Sequence, residues 1–266
     1  MPFFRIFMRT APSLIVKKLV LIPTYNEKEN ISAILHAVLG LSSDYHVLII
    51  DDNSPDGTAA IVESLIGKFI ERLFIIKRPS KLGLGTAYIQ GFKWALEKNY
   101  DYIFEMDADF SHSPNDLDRL LNACEEKGAD VSIGSRYVKG GETENWPLDR
   151  RIYSLGGSAY TRLITGMPIK DPTAGFICYK NIVLADINLD SIKFIGYAFQ
   201  IEMKFAAWKL GYKIKEVPIT FVDRKIGISK MSKGIIKEAM LGVLNMQWQS
   251  ATGSFVKMIK RIRVNF

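Results

Sequence analysis

Five short apolar runs recur along the first half of this chain, at residues 19–22, 47–50, 73–76, 102–106 and 131–133. Between them apolar residues return at helical spacing: Ile31, Ile34, Leu35 and Val38 after the first run, then Ile61, Leu65 and Ile66 after the second. A helix is expected from about Thr86 to Glu97 after the third. Apolar runs of this length without alternation suit strands covered on both faces. Strands that alternate with helices predict a parallel, doubly wound α/β sheet. Residues 140–172 are less regular and read as an insertion or active-site flap within one domain. Residues 214–221 read as a further strand, followed by a Gly/Ser/Lys-rich loop at 223–234 and a last helix with Ile236, Met240 and Leu244 on one stripe. No internal repeat is visible, and 266 residues, 48% of them apolar, suffice for one sizeable core.

The position of the charge says more than its size. The net charge is +7, but residues 1–18 hold Arg5, Arg9, Lys17 and Lys18 and no acid, while residues 253–266 hold Lys257, Lys260, Arg261 and Arg263 and no acid. Taking those eight from 35 Lys and Arg against 28 Asp and Glu leaves a body with a net charge of −1. A nucleic-acid enzyme spreads basic residues over its working face, so no nucleic-acid partner is expected. Basic residues mixed with Phe, Ile, Val and Met at both ends suit a membrane surface instead. No run approaches the ~20 apolar residues of a membrane span. Residues 1–16 carry Arg5 and Arg9 inside an apolar stretch and lack a small-residue cleavage site. Cys124 and Cys178 lie in apolar contexts at no metal spacing, which suits two reduced, buried thiols and a reducing compartment.

In open α/β sheets ligands bind beyond the carboxyl ends of the strands. Three polar clusters fall there. They are Pro23-Thr24-Tyr25-Asn26-Glu27, Asp51-Asp52-Asn53-Ser54-Pro55-Asp56-Gly57, and Asp107-Ala108-Asp109. Any one of them alone reads equally well as a helix N-cap; three at one sheet edge read as a site. Asp107 and Asp109 are two apart, so in extended chain both carboxylates point the same way. Such a pair makes a hard-oxygen site for Mg²⁺ or Mn²⁺ that can bridge to diphosphate oxygens. His112 reads as structural or solvent-facing, and His36 and His46 as surface positions. The Gly83-Leu84-Gly85 segment lacks a Walker ending and reads as a strand-to-helix turn.

With these segments assembled, the chain resembles family-2 glycosyltransferases of the GT-A fold. Further segments narrow the resemblance to dolichol-phosphate (polyprenol-phosphate) mannosyltransferases. They are Gly83-Leu84-Gly85-Thr86-Ala87, Gly134-Ser135-Arg136-Tyr137, Asp171-Pro172-Thr173-Ala174-Gly175-Phe176, and Asp223-Arg224 with Gly227, Ser229 and Lys230. The resemblance spans about residues 18–245. It implies one GT-A (Rossmann-like) domain there, a mostly parallel sheet flanked by helices, between an apolar/basic segment at 1–17 and a basic amphipathic tail at 246–266.

The resemblance also implies roles. Pro23, Tyr25 and Glu27 would hold the nucleotide, with Ile50 and Asp52 closing around base and ribose. Asp107, Ala108 and Asp109 would bind the metal and diphosphate. Arg136, Arg224 and Lys230 would contact phosphates, the last two from a mobile loop. Arg150 would face the acceptor phosphate, and Asp109, Arg136 and Arg150 would be the catalytic set. Without the motif, Arg136 and Arg150 would read as surface ion pairs. Some members place a Gln metal ligand where this chain has Ser111. The implied activity is inverting transfer of mannose from GDP-mannose to a polyprenyl monophosphate, with Mg²⁺ or Mn²⁺, on the cytoplasmic face of a membrane. A lipid monophosphate is already an anionic nucleophile and needs positioning more than a general base. The rivals are a UDP-sugar transferase and a catalytically idle, membrane-docked module. Recruitment by a membrane-embedded partner subunit is the alternative to anchoring by the two tails.

Overall fold

The structure is a computed structural model that describes residues 16–196, 198–224 and 233–260. Nine strands and nine α-helices are described, in the order β1 (Lys18–Thr24), α1 (Ile31–Leu39), β2 (His46–Asp51), α2 (Thr58–Ile66), β3 (Leu73–Lys77), α3 (Leu84–Glu97), β4 (Tyr102–Glu105), α4 (Asp116–Glu125), β5 (Val131–Ser135), β6 (Glu142–Glu144), α5 (Leu148–Thr165), β7 (Ile177–Lys180), α6 (Asn181–Asp186), α7 (Ala198–Lys209), β8 (Ile214–Pro218), β9 (Thr220–Val222), α8 (Lys233–Ala251) and α9 (Ser254–Ile259). Seven strands form the central sheet in the order β3-β2-β1-β4-β7-β5-β8, and β6 pairs with β9 apart from it. All pairings are parallel except those of β7, which runs antiparallel to both β4 and β5.

Strand β1 shows why the sheet is central. Leu19, Val20, Leu21 and Ile22 are all fully buried. Leu19 and Leu21 pack into the core that includes Tyr88 and Phe92 of α3 and Phe199 of α7. Val20 and Ile22 point the other way, into the core of α1 and α4. Each such side chain contributes about 2 kcal/mol of transfer free energy, so a two-sided cover is what an unalternating apolar run encodes. Helix α3 approaches closely at Gly91, where an added Cβ would lie 2.9 Å from a Leu21 methyl and 3.2 Å from one of Ile50. The register sets Thr24 opposite Asp51, so β1 and β2 end together, while the last pair of β4 is Glu105 opposite Leu21, three residues before the end of β1.

Four features differ from the sequence reading. Strand β7 enters between two parallel strands as an antiparallel insert. Residues 214–221 make two strands, because the ladder of β8 ends at Pro218 and β9 joins β6. The expected flap contains an 18-residue helix, α5, whose Leu148, Ile152, Tyr153 and Leu163 are exposed. Helix α8 runs across the expected boundary at residues 245–246. Beyond it, Phe255 and Ile259 of α9 are fully buried, with the Phe255 ring 4.9 Å from Phe205. These two side chains therefore dock on the protein core, not on lipid. Among the described residues, no helix is long and apolar enough to cross a membrane.

Candidate active site

The ends of β1 and β2 are knitted into one polar ledge. The Asp51 carboxylate accepts from the Thr24 hydroxyl (2.8 Å), the Ser54 hydroxyl (2.6 Å) and the Ser54 N–H (2.9 Å). Ser54 Oγ in turn accepts the Asn26 N–H at 3.0 Å, and Thr58 Oγ1 accepts the Glu27 N–H at 3.0 Å. Asn26 and Asn53 both sit at φ +57°, a left-handed conformation that Asn tolerates better than most residues. Pro23, Tyr25 and Glu27 are half-buried on this ledge, and the Lys81 ammonium lies 4.3 Å from the Tyr25 ring centre. Ile50 is fully buried in the core beside Gly91, so its side chain does not line the ledge.

Asp52 is nearly buried and ion-paired at 2.6 Å with Arg78, which follows β3. Burial raises the Asp52 carboxyl above its ordinary range, and Arg78 with the N–H groups of Gly83 and Leu82 pulls it back down. Arg78 also donates to the Thr86 hydroxyl (2.5 Å) at the start of α3. Gly83 caps that helix at φ +100°, a conformation few L side chains adopt. Arg78 was missed in the sequence. Its position just past a strand at the same sheet edge was the available signal.

At the end of β4, Asp107 is 42% exposed and Asp109 is 5% exposed. Asp109 accepts the Ser111 N–H at 3.0 Å, and Phe110 between them takes φ +60°. Desolvation first, and the charge of Asp109 second, raise the Asp107 carboxyl well above the usual carboxylate range. A divalent cation held by these carboxylates would offset that repulsion. Two hard oxygen donors fit Mg²⁺ or Mn²⁺. Among the described residues no group of three or more His, Cys, Asp or Glu forms a metal cage, so water and substrate oxygens would complete the coordination. Ser111, at the position where the resemblance leads to an expected Gln metal ligand, is buried. His112 is buried and stacked on Phe176 at 4.8 Å. Its Nδ1 accepts the Asp107 N–H at 3.3 Å, which leaves the ring proton on Nε2. Burial pushes its pKa down to about 4. His112 is thus a neutral prop under the Asp107 backbone, not solvent-facing.

Arginines surround this edge. Arg224, after β9, meets Asp109 at 3.1 Å. Arg150, on the first turn of α5, donates to Asp223 at 2.5 Å and lies 4.3 Å from the Trp146 ring centre. Arg136, after β5, commits Nε and Nη2 to Asp171 (2.7 and 2.6 Å), and Nη2 also donates to the Thr173 hydroxyl at 2.9 Å. Its guanidinium is therefore fixed by protein groups. Beside it a cavity of about 270 Å³ is lined by Arg136, Tyr137, Glu142, Thr143, Arg151 and Leu155. Lys230 and the rest of the expected mobile loop at 225–232 lie outside the described residues. The structure thus brings Asp107, Ala108, Asp109, Arg136, Arg150 and Arg224 to the edge that Tyr25, Glu27 and Asp52 also occupy.

A family model described as glycosyl transferase family 2 matches residues 19–187. The chain belongs to that family. Among curated proteins, it is 45% identical over 227 residues to polyprenol monophosphomannose synthase of Mycolicibacterium smegmatis, covering 85% of each chain. It is likewise 45% identical over 228 residues to undecaprenyl-phosphate mannosyltransferase of Micrococcus luteus, covering 86% of this chain and 93% of that one. Among solved structures, glucosyl-3-phosphoglycerate synthase from Mycobacterium tuberculosis in complex with Mn²⁺, UDP and phosphoglyceric acid superimposes with a TM-score of 0.62 at 15% identity, over 90% of this chain and 79% of that one. At that identity the likeness shows the fold. The family-2 assignment makes this chain a glycosyltransferase.

Proposed function

We propose that this glycosyltransferase moves mannose from GDP-mannose to a polyprenyl monophosphate at a membrane surface, aided by a divalent cation on Asp107 and Asp109. Two relatives at 45% identity are named for mannose and polyprenyl phosphates. The observation that carries the mechanism is the Asp107–Asp109 pair with Arg224 resting on it.

In this reading the β1–β2 ledge binds the nucleotide, with the ribose near Asp52 and the diphosphate near Asp107, Ala108 and Asp109. Bound Mg²⁺ or Mn²⁺ supplies neutralisation of charge on the departing diphosphate. Arg224, with Lys230 further along the loop, adds positive charge there. Arg136 and Arg150 face the substrate phosphates from the other side, Arg150 toward the acceptor. One phosphate oxygen attacks the anomeric carbon as the bond to GDP breaks, and configuration inverts. The nucleophile carries no proton at the reacting oxygen, so no general base is needed, and His112 holds backbone only.

The acceptor's chain stays in the bilayer, so the site must come to it. Exposed Leu148, Ile152 and Tyr153 on α5 and Met240, Leu241, Leu244 and Trp248 on α8 offer an apolar face. The Tyr160 hydroxyl joins these helices by donating to the Met240 carbonyl at 3.0 Å. Apolar side chains inserted at the headgroup boundary, with the basic termini nearby, suit peripheral binding. Two free, buried cysteines support a cytoplasmic face.

Metal-dependent turnover tests the carrying observation. Asp107→Asn or Asp109→Asn should each lower kcat/KM by at least about 100-fold, about 2.7 kcal/mol of transition-state stabilisation. Excess chelator should do the same to the unaltered enzyme, and Mg²⁺ or Mn²⁺ should restore it. Full activity in chelator would end the metal assignment.

A further inference from the structure

The turn at residues 170–175, between α5 and β7, is gripped from three elements. Glu216 of β8 accepts the N–H groups of Lys170 (2.8 Å) and Asp171 (2.9 Å). Arg136 donates to Asp171 and Thr173. From the core, Lys204 of α7 donates its ammonium to the Ala174 carbonyl at 2.6 Å and to the Gln200 carbonyl at 3.1 Å. The Gln200 amide in turn donates to the Glu105 carboxylate, two residues before Asp107.

Lys204 is fully buried. Taking an ammonium out of water costs several kcal/mol, which partners only partly offset. Burial weighs most against the ammonium and the charge of Arg136 adds to it, while the charges of Glu105, Asp171 and Glu216 favour it. A methionine of similar length would fill the space without that cost. What the lysine adds is a fixed direction for the Ala174 carbonyl, one residue from Thr173 and three from Asp171, the two groups that hold the Arg136 guanidinium.

We propose that Lys204 is a positioning residue for the transfer reaction: through the Ala174 carbonyl it sets the turn at 171–174, and the turn sets the Arg136 guanidinium. The proposal rests on the reading that Arg136 contacts a substrate phosphate. A merely structural lysine would lower stability and leave the kinetics of the folded fraction unchanged.

The test is a double-mutant cycle on the full chain with Lys204→Met, Arg136→Ala and their combination. Melting temperature and the KM for donor and acceptor are measured for each. Lys204→Met should raise, at least fivefold, the KM of the same substrate that Arg136→Ala weakens, with the other KM within twofold. In the Arg136→Ala background it should add less than twofold. If Arg136→Ala leaves both KM values unchanged, the phosphate reading fails and takes the proposal with it. If Arg136→Ala is impaired but the Lys204→Met effect persists in full on that background, only the proposal is overturned. Should Lys204→Met fail to fold, Lys204→Gln, which keeps a neutral donor, should give a smaller rise in the same KM. No rise, or an equal rise in both, would contradict it.

Discussion

Arg224 and Asp109 meet at 3.1 Å, joining the segment after β9 to the end of β4. A charge on the segment after β9 thus rests on a carboxylate proposed to hold the metal, and in the proposed function the same guanidinium turns to the donor diphosphate. Arg224→Ala should raise the donor KM about tenfold, equivalent to about 1.4 kcal/mol, with acceptor KM little changed. Initial-rate titration of each substrate checks this, and an acceptor-only effect would reassign Arg224.

The Asp52–Arg78 pair is almost dry, with side chains 9% and 3% exposed. Removing one partner leaves the other charge buried and uncompensated. Arg78→Met should therefore destabilise the fold by about 3 kcal/mol and weaken donor binding. Asp52→Asn in the same chain should recover part of the stability but not the binding. Chemical denaturation and nucleotide titration separate the two effects. A double variant less stable than Arg78→Met would contradict the pairing argument.

Arg150 is joined to Asp223 and stacked on Trp146. Arg150→Ala should raise the acceptor KM by about tenfold, about 1.4 kcal/mol, and leave the donor KM within twofold. Because Trp146 lies against it, acceptor titration followed by tryptophan fluorescence offers a second readout. Unchanged acceptor kinetics would show that Arg150 serves the Asp223 contact alone.

Phe255 and Ile259 are buried, and residues 1–15 and 261–266 of the expected tail contacts lie outside the described residues, so the membrane contact proposed on described residues is the apolar face of α5 and α8. Leu241→Glu with Trp248→Glu should reduce binding to anionic vesicles at least tenfold, while turnover of a water-soluble short-chain acceptor stays within twofold. Vesicle co-sedimentation measures the first and a coupled GDP assay the second. Unchanged vesicle binding would move the contact to the termini or to a partner subunit.

The site edge was legible because β1, β2 and β4 are buried on both faces, and their composition announces both the strands and where they stop. Asp107 and Asp109 follow directly. Strand β7 was not legible: four residues cannot declare an antiparallel placement that Phe104 and Ile133 across the ladder decide. Helix α5 was obscured because Leu148, Ile152, Tyr153, Leu155 and Leu163 face outward while only Tyr160 and Ile164 reach the core, and Gly156-Gly157 interrupts the pattern. The partners of Arg136 lie 35 and 37 residues away, so its fixed guanidinium is a tertiary fact.

The central claim is mannose transfer to a lipid phosphate. Purified enzyme with Mg²⁺ or Mn²⁺, a short polyprenyl phosphate and radiolabelled GDP-mannose, UDP-glucose or UDP-galactose in parallel tests it directly. The account predicts label in the lipid product from GDP-mannose, stoichiometric with GDP released, and at least about 100-fold less from either UDP-sugar. Comparable or preferential incorporation from a UDP-sugar, or label that requires a non-phosphorylated acceptor, would contradict it.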